Sequence, residues 1–376
     1  MKIAIFTHYF HPHVGGIEVV AETHAKQLAE RGHDVRVVTT AVDADQRVER
    51  RDGYRIHRYS AANPLESLGM PYPVPNPADC VSVARSVLDD SFDIVHVHGL
   101  NYLTSLLPLL SGVTRDTSVI LHQHTPFVDY SPLLNLAERL NDNVVGRLVL
   151  SRADHCVAVS ENIAEYTSRL GAESVTTMYN GVDTERFTPD VAATRHEFLY
   201  LGRLTQKKGV ARLLRAVERL DDRETNAVVR IAGSGELSDT IERKADSLSN
   251  LEYDGFVSSD DLPEIYSRAR ALLVPKQAGD AFPTLTILEA LASGTAPVLV
   301  KDTVSAPGFT AGETYVRARP TAASLADAIA KLAADRRLVD RLGARSRQCA
   351  LDHYEWESRI DDLEALYRTV GSGTVS

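Results

Sequence analysis

Short segments that are apolar at almost every position recur along this chain, separated by helical stretches, and that pattern constrains the fold more than any other feature. Lys2-Ile-Ala-Ile-Phe6, Asp34-Val-Arg-Val-Val-Thr39, Ile94-Val-His-Val-His98, Ser118-Val-Ile-Leu-His122 and His155-Cys-Val-Ala-Val159 all have it. Between the first two lie a loop ending at Gly15-Gly16 and a helix with Val19, Val20, Leu28 and Ala29. Strands of this kind are buried on both faces. They belong to parallel sheets covered by helices on each side. Ser160 reads as the N-cap of a helix running to Leu170.

Tyr179-Asn-Gly-Val-Asp183 is a turn signal, and the chain stays polar from Pro189 to Glu197, where a domain linker is expected. The alternation then restarts. Phe198–Leu201, Val228–Ala232, Leu251–Asp254, Ala271–Val274 and Ala296–Val300 read as strands. Helices are predicted over 210–220, 237–248 and 260–268, with amphipathic helices over about 321–350 and 355–370. A chain of 376 residues is long for one core. Two doubly wound α/β domains in series follow, each binding ligands outside the carboxyl ends of its strands.

Net charge is −10, which argues against nucleic acid as a partner. Cys80, Cys156 and Cys349 are odd in number and widely spaced, favouring a reducing compartment over a disulfide framework. The first residues have no apolar signal-peptide core, and no stretch reaches the roughly 18 apolar residues of a membrane span. A cytoplasmic protein is expected, with the inner face of the membrane within its reach.

Several places carry chemistry. Gly202-Arg203 and Lys208-Gly209 leave a strand and enter a helix, where backbone N–H groups and two cations can meet a phosphate. A solvated basic turn is the plain alternative. Gly233-Ser-Gly235 and Gly15-Gly16 hold the same position after other strands and permit close approach of a phosphate or sugar, or are simple turns. In Gly279-Asp-Ala-Phe-Pro-Thr-Leu-Thr-Ile-Leu-Glu289, Thr286 and Glu289 fit a capping box. Glu289 is also a candidate acceptor for a ligand's hydroxyls. Three His-x-His pairs occur, His11/His13, His96/His98 and His122/His124. Residues i and i+2 of a strand share a face, which suits metal ligation, but no nearby acid completes a site. Packing is the preferred reading for His96 and His98, and His124 lies at a strand end where a binding cleft belongs. Cys156 inside a strand reads as inert. P-loop and Gly-x-Ser-x-Gly motifs are absent.

Taken in order, these pieces resemble the group-one glycosyltransferases, retaining enzymes of the GT-B fold. The matching stretches are His13-Val-Gly-Gly16, Asp93-Ile-Val-His-Val-His98, His124, Ala153–Ser160, Asn180-Gly-Val-Asp183 with Phe187, Gly202-Arg-Leu204 with Lys208-Gly209, Gly233-Ser-Gly235, Gly255-Phe-Val257, and Leu288-Glu-Ala-Leu-Ala292 with Gly294. Trp356 and Tyr367 match a closing helix that returns to the first domain. The resemblance implies an acceptor domain over 1–190, a donor domain over 191–354, and the returning helix in 355–376, with both domains Rossmann-like and facing a central cleft.

The resemblance also implies roles. Arg203 and Lys208 bind the diphosphate of a nucleotide-sugar, Glu289 its ribose hydroxyls, and Val257 its base through backbone. Gly15, Gly16 and Gly233 approach the donor, and His124 stands near the transferred sugar. The family usually has a second Glu where this chain has Ala281. Either Asp280 substitutes, or backbone groups of Thr284, Leu285 and Thr286 recognise the sugar. No metal and no cofactor are expected, the nucleotide-sugar being a co-substrate. The acceptor is expected to be a saccharide or lipid-linked. Residues 63–77, Leu103–Leu110 and Leu133–Leu150 read either as a membrane-contacting surface for a lipid-linked acceptor or, preferably, as core. Rival readings are a GT-B nucleotide-sugar 2-epimerase, a binding protein without catalysis, and a metallohydrolase.

Overall fold

A computed structural model describes residues 1–64, 72–110, 117–127, 132–190, 195–223, 225–276, 279–301 and 304–372. Part of the proline-rich 63–77 stretch and of the expected linker lies outside them. Two compact units emerge. One comprises Met1–Tyr179, Gly279–Ala281 and Glu357–Ser376, the other Asn180–Ala278 and Phe282–Trp356.

The first unit runs β1 (Lys2–Phe6), α1 (Gly16–Glu30), β2 (Asp34–Thr40), β3 (Val48–Arg51), β4 (Tyr54–Tyr59), β5 (Ala61–Ala62), β6 (Val74–Pro75), α2 (Pro77–Leu88), β7 (Ile94–His98), α3 (Leu107–Leu110), β8 (Ser118–Gln123), α4 (Pro132–Asn141), α5 (Arg147–Leu150), β9 (His155–Ala158), α6 (Glu161–Leu170) and β10 (Val175–Thr177). Its main sheet has the order β10-β9-β8-β7-β1-β2-β4-β3. All neighbours are parallel except the β3–β4 pair. β7 and β9 are buried at every position, as continuously apolar strands require. The β3–β4 hairpin is charge-rich and escapes the apolar pattern. Its signal is Asp52-Gly53, both at positive φ (43° and 86°), the two-residue turn that suits a twisted hairpin.

The second unit runs β11 (Glu197–Leu201), α7 (Val210–Asp221), β12 (Val228–Ala232), α8 (Ser238–Ala245), β13 (Leu251–Gly255), α9 (Leu262–Arg268), β14 (Ala269–Val274), α10 (Leu285–Ala292), β15 (Pro297–Leu299), β16 (Val316–Arg317), α11 (Ala322–Ala334) and α12 (Arg336–His353). Its sheet is parallel throughout, in the order β13-β12-β11-β14-β15-β16. The single helix expected over 321–350 is two. Asp335 ends α11 and caps α12, its Oδ1 accepting from Leu338 N at 2.9 Å.

The second unit begins at Asn180, eleven residues before the expected 191, for a local reason. Val182 N donates to Tyr354 O at 2.7 Å, and Thr184 Oγ1 donates to Glu355 Oε1 at 2.7 Å. Arg347 Nη1 donates to the carbonyls of Thr184 and Phe187 at 3.0 and 2.8 Å. These bonds bind the segment after Tyr179 to the second unit. The last helix, α13 (Trp356–Gly371), buries Ile360, Leu363, Tyr367 and Val370 in the first unit's core, against Ile3, Ala21, Ala25 and Leu28. Arg31 Nη1 donates to Asp361 Oδ1 at 2.7 Å, and His33 pairs with Glu364. Among the described residues no helix is long and apolar enough to cross a membrane.

Candidate active site

Each sheet has one place where successive crossovers run in opposite directions, and such switch points open a crevice at the carboxyl ends of the strands. In the second unit it lies between β11 and β14. The loop after β11 carries Gly202, Arg203, Lys208 and Gly209; the chain after β14 leads to α10 and Glu289. Gly209 has φ +80°, and a Cβ there would lie 2.5 Å from the Pro275 carbonyl oxygen, so the two loops touch backbone to backbone. Arg212 Nη1 donates to the same oxygen. Arg203 is exposed and makes no ion pair among the described residues. Lys208 is half-buried and closes a short 3-10 turn, with Gly209 as N-cap of α7.

The loop after β12 packs against the loop after β11. Leu204 N donates to Ser234 O at 2.9 Å, and a Cβ on Gly233 would fall 2.0 Å from Gly202 O. Gly233 N donates to Gly255 O at 2.7 Å, which brings in the end of β13 and half-buried Val257 beyond it. Arg203, Lys208, Gly233 and Val257 thus sit on three adjoining strand ends. Phe256, beside Val257, is 71% exposed.

The expected capping box at Thr286 is not formed. Helix α10 starts two residues earlier, with Thr284 at its N-cap, and no side chain caps it. Thr284 Oγ1 and Thr286 Oγ1 bond each other at 2.9 Å. Glu289 is therefore in the second turn, out of reach of the N-cap amide. Its Oε2 accepts from Tyr266 Oη at 2.8 Å, and Oε1 accepts nothing among the described residues. Burial raises the Glu289 pKa, opposed by the Tyr266 hydrogen bond and by Arg186. Burial and the adjacent Glu289 raise that of Tyr266 further. A carboxylate held in place by one buried phenol, with one oxygen left over, is equipped to accept a ligand hydroxyl. The amides of Leu285 and Thr286 begin a helix, where N–H groups lack intrahelical acceptors.

In the first unit the switch point lies between β1 and β7. Their following loops are joined by His8 and Tyr102, stacked 3.4 Å apart at 8°. Gly15 is the N-cap of α1 and Gly16 its first residue. Glu18 is buried in the same turn, its carboxylate 2.3 Å from where a Gly15 Cβ would be. His124, just past β8, is 6% exposed. His98 Nδ1 and His124 Nε2 share a hydrogen bond at 2.9 Å. Burial, with His24 nearby, lowers the His124 pKa to about 3, so the ring is neutral. Gly279–Ala281 clusters with this unit: Asn162 Nδ2 donates to Asp280 O at 3.4 Å, and Ala281 packs on Ala158, Val159 and Ile163. Asp280 and Ala281 thus belong to a different unit from Thr284, Leu285, Thr286 and Glu289.

The sequence favours core helix over 103–110 and 133–150. The first stretch is core, with Leu107 2% exposed. The second is divided. Val149 and Leu150 are buried, whereas Leu136, Leu140, Val144 and Leu148 are exposed by 57, 58, 66 and 48%. Their spacing of four carries one apolar stripe along α4, a π-turn (Asp142–Gly146) and α5. Exposed Arg139 and Arg147 adjoin it.

Residues that pattern reading passes over include Tyr266, Tyr102 and His24. Each acts through a partner distant in sequence. The imidazoles of His24, His96, His98 and His122 converge, all buried, and are the one metal-capable cluster among the described residues. The register His98↔His122 between parallel β7 and β8 assembles them, with no acid required.

The family model described as Glycosyltransferase Family 4 matches residues 14–186, and that described as Glycosyl transferases group 1 matches 182–349. The GDP-mannose-dependent alpha-(1-6)-phosphatidylinositol monomannoside mannosyltransferase of Mycobacterium tuberculosis is 26% identical, over 98% of both chains. The D-inositol 3-phosphate glycosyltransferase of Geodermatophilus obscurus is 29% identical over 94% of this chain and 84% of its own. Among solved structures, sucrose-phosphate synthase of Thermosynechococcus elongatus superposes with a TM-score of 0.79 at 18% identity, covering 99% of this chain and 100% of that one. Anabaena HepE in complex with UDP-glucose gives 0.76 at 16%, covering 98% and 100%. With two Rossmann-like parallel-sheet units and these matches, the chain belongs to the group-one glycosyltransferases of the GT-B fold.

Proposed function

We propose that this glycosyltransferase moves a hexose, with retention, from a nucleoside-diphosphate sugar to a lipid-linked acceptor at an anionic membrane surface. The observation that carries the donor assignment is the pairing at the second unit's switch point. An exposed guanidinium, Arg203, follows β11, and a half-buried carboxylate with a vacant oxygen, Glu289, follows β14. One end suits a diphosphate and the other a ribose diol. Val257 backbone adjoins the base, and the first amides of α10 take phosphate or sugar oxygens. On the first unit, Gly15 and Gly16 admit the donor, and neutral His124 serves as hydrogen-bond partner to the sugar, not as proton donor. Asp280 is read as a sugar contact.

The reaction breaks the bond from the anomeric carbon to the β-phosphate oxygen, whose charge Arg203 and Lys208 stabilise. The acceptor oxygen attacks from the same face and gives its proton to the departing phosphate. No protein nucleophile is required.

The exposed stripe Leu136–Leu140–Val144–Leu148, with Arg139 and Arg147 beside it, supports the membrane-proximal acceptor. Three exposed leucines and a valine with arginines beside them match a surface of acyl chains and anionic headgroups. The mannolipid relative supports testing GDP-mannose first, with an inositol phospholipid as acceptor. The decisive assay incubates the full chain with GDP-mannose, UDP-glucose or ADP-glucose and acceptor vesicles, then reads product and anomeric configuration by NMR. Transfer with retention supports the reading. Conversion of donor without acceptor, or binding without turnover, overturns it. Vesicle co-sedimentation tests the stripe: Leu140→Glu should release a chain that pelleted with anionic vesicles at low salt.

A further inference from the structure

The buried histidines are more than the transferase reading needs. His96 and His98 share one face of β7, and His122 adjoins them on β8; His24 faces them from α1. One nitrogen from each of the four lies within 4.8 Å of the others. We propose that His24, His96, His98 and His122 form a binding site for one imidazole-preferring transition-metal ion, zinc in the first instance.

Three observations support it independently of the donor reading. First, zinc–imidazole bonds of about 2.0–2.1 Å place tetrahedral donor nitrogens roughly 3.3 Å apart. His96 Nε2 and His122 Nδ1 already stand at 3.2 Å. The remaining gaps close with side-chain shifts on the order of 1 Å. Second, His98 Nε2 is buried without a hydrogen-bond partner, a costly condition that a metal relieves. Third, the outer partner that metal-bound histidines need is in place. His96 Nδ1 lies 2.6 Å from Tyr367 Oη, which fixes the ring with Nε2 toward the cluster.

Burial holds all four rings neutral, and coordination by both His96 Nε2 and His122 Nδ1 moves the proton of their shared hydrogen bond to His122 Nε2. The set has no carboxylate, so Mg2+, Ca2+ and Mn2+ are not its ligands. The hydrogen bond from His98 to His124 puts the ion one residue behind the sugar-facing ring. Its effect there is to lock His124 in one orientation.

The test uses the full chain, purified without a histidine tag and stripped with chelator. Samples receive Zn2+, Co2+ or Mg2+ alone, are desalted, and are assayed by mass spectrometry for metal. About one zinc or cobalt per chain is expected, with no magnesium, and visible absorption bands of four-coordinate cobalt. Tyr367→Phe keeps the packing and should weaken zinc binding roughly 10–100-fold. His98→Asn should abolish it, and His196→Asn, on an exposed residue, should change nothing. Imidazole nitrogen NMR of the unmodified chain must show the His96 and His122 signals moving with zinc, which decides the matter even where a variant fails to fold. Under about a tenth of an equivalent of zinc, or full binding by His98→Asn, overturns the site.

Discussion

Replacing Glu289 by Gln separates binding from stability, because the two should move in opposite directions. The carboxylate is half-buried and has one protein hydrogen bond, Tyr266 Oη to Oε2 at 2.8 Å. An incompletely satisfied buried polar group costs about 1–3 kcal/mol, and one bond returns roughly 1 kcal/mol. The ionised side chain therefore costs a net of about 1 kcal/mol. Gln keeps the shape and, through its oxygen, the Tyr266 bond, and its amide, although also left with an unpaired group, has no charge to desolvate. Unfolding temperature should rise by roughly 2–4 °C for a unit of this size. The sign with pH is defined as well. A carboxyl whose folded pKa is raised contributes most below its ordinary value, and that contribution is lost as pH rises through the raised one. Stability of the wild type should fall across that window, and that of Glu289→Gln should not. Binding moves the other way: with its one oxygen committed to Tyr266, Gln has no acceptor left for the diol. A charge-assisted contact is worth about 1.5–3 kcal/mol, so kcat/KM should fall roughly ten- to a hundredfold. Differential scanning fluorimetry and donor-saturation kinetics read the two effects. Activity within about twofold of wild type would refute the ligand role, and a lower unfolding temperature would refute the desolvation argument.

Arg203→Ala and Lys208→Ala should each lower kcat/KM by roughly ten- to a hundredfold, measured by donor turnover, since each removes a cation from the leaving phosphate. Gly209→Ala should destabilise by ~3 kcal/mol or more in denaturant titration, because a left-handed backbone and the Pro275 carbonyl at 2.5 Å both oppose a Cβ. Gly32→Ala, at φ +87° with nothing within 4 Å, should cost only ~1–2 kcal/mol. Asp335→Ala removes the α12 cap and should cost about 1 kcal/mol, read by the same titration.

The sheet strands were legible because burial on both faces leaves an unbroken apolar run, as at Ile94–His98. The β3–β4 hairpin was not, since charged side chains cover it and only Asp52-Gly53 marks the turn. The strand-end positions of Arg203, Lys208 and Gly233 follow from local order along the chain. Tyr266 beneath Glu289 does not: 23 residues and a strand separate them, and only the packing of α9 against α10 joins them. Helix periodicity likewise marks the apolar positions 136, 140, 144 and 148 but not which side of the helix meets solvent. The histidine cluster depends on strand register, which no single strand encodes.

Helix α13 follows the whole second unit in the chain, and its apolar face completes the first unit's interior. On the ribosome the half made first is therefore the half finished last. Until residue 370 emerges, Ile3, Ala25 and Leu28 lack the cover that Ile360, Leu363 and Val370 give them. Synthesis of the second unit must proceed while the first waits with its interior open. A stop codon before Trp356 would thus damage the half of the protein farthest from it in sequence.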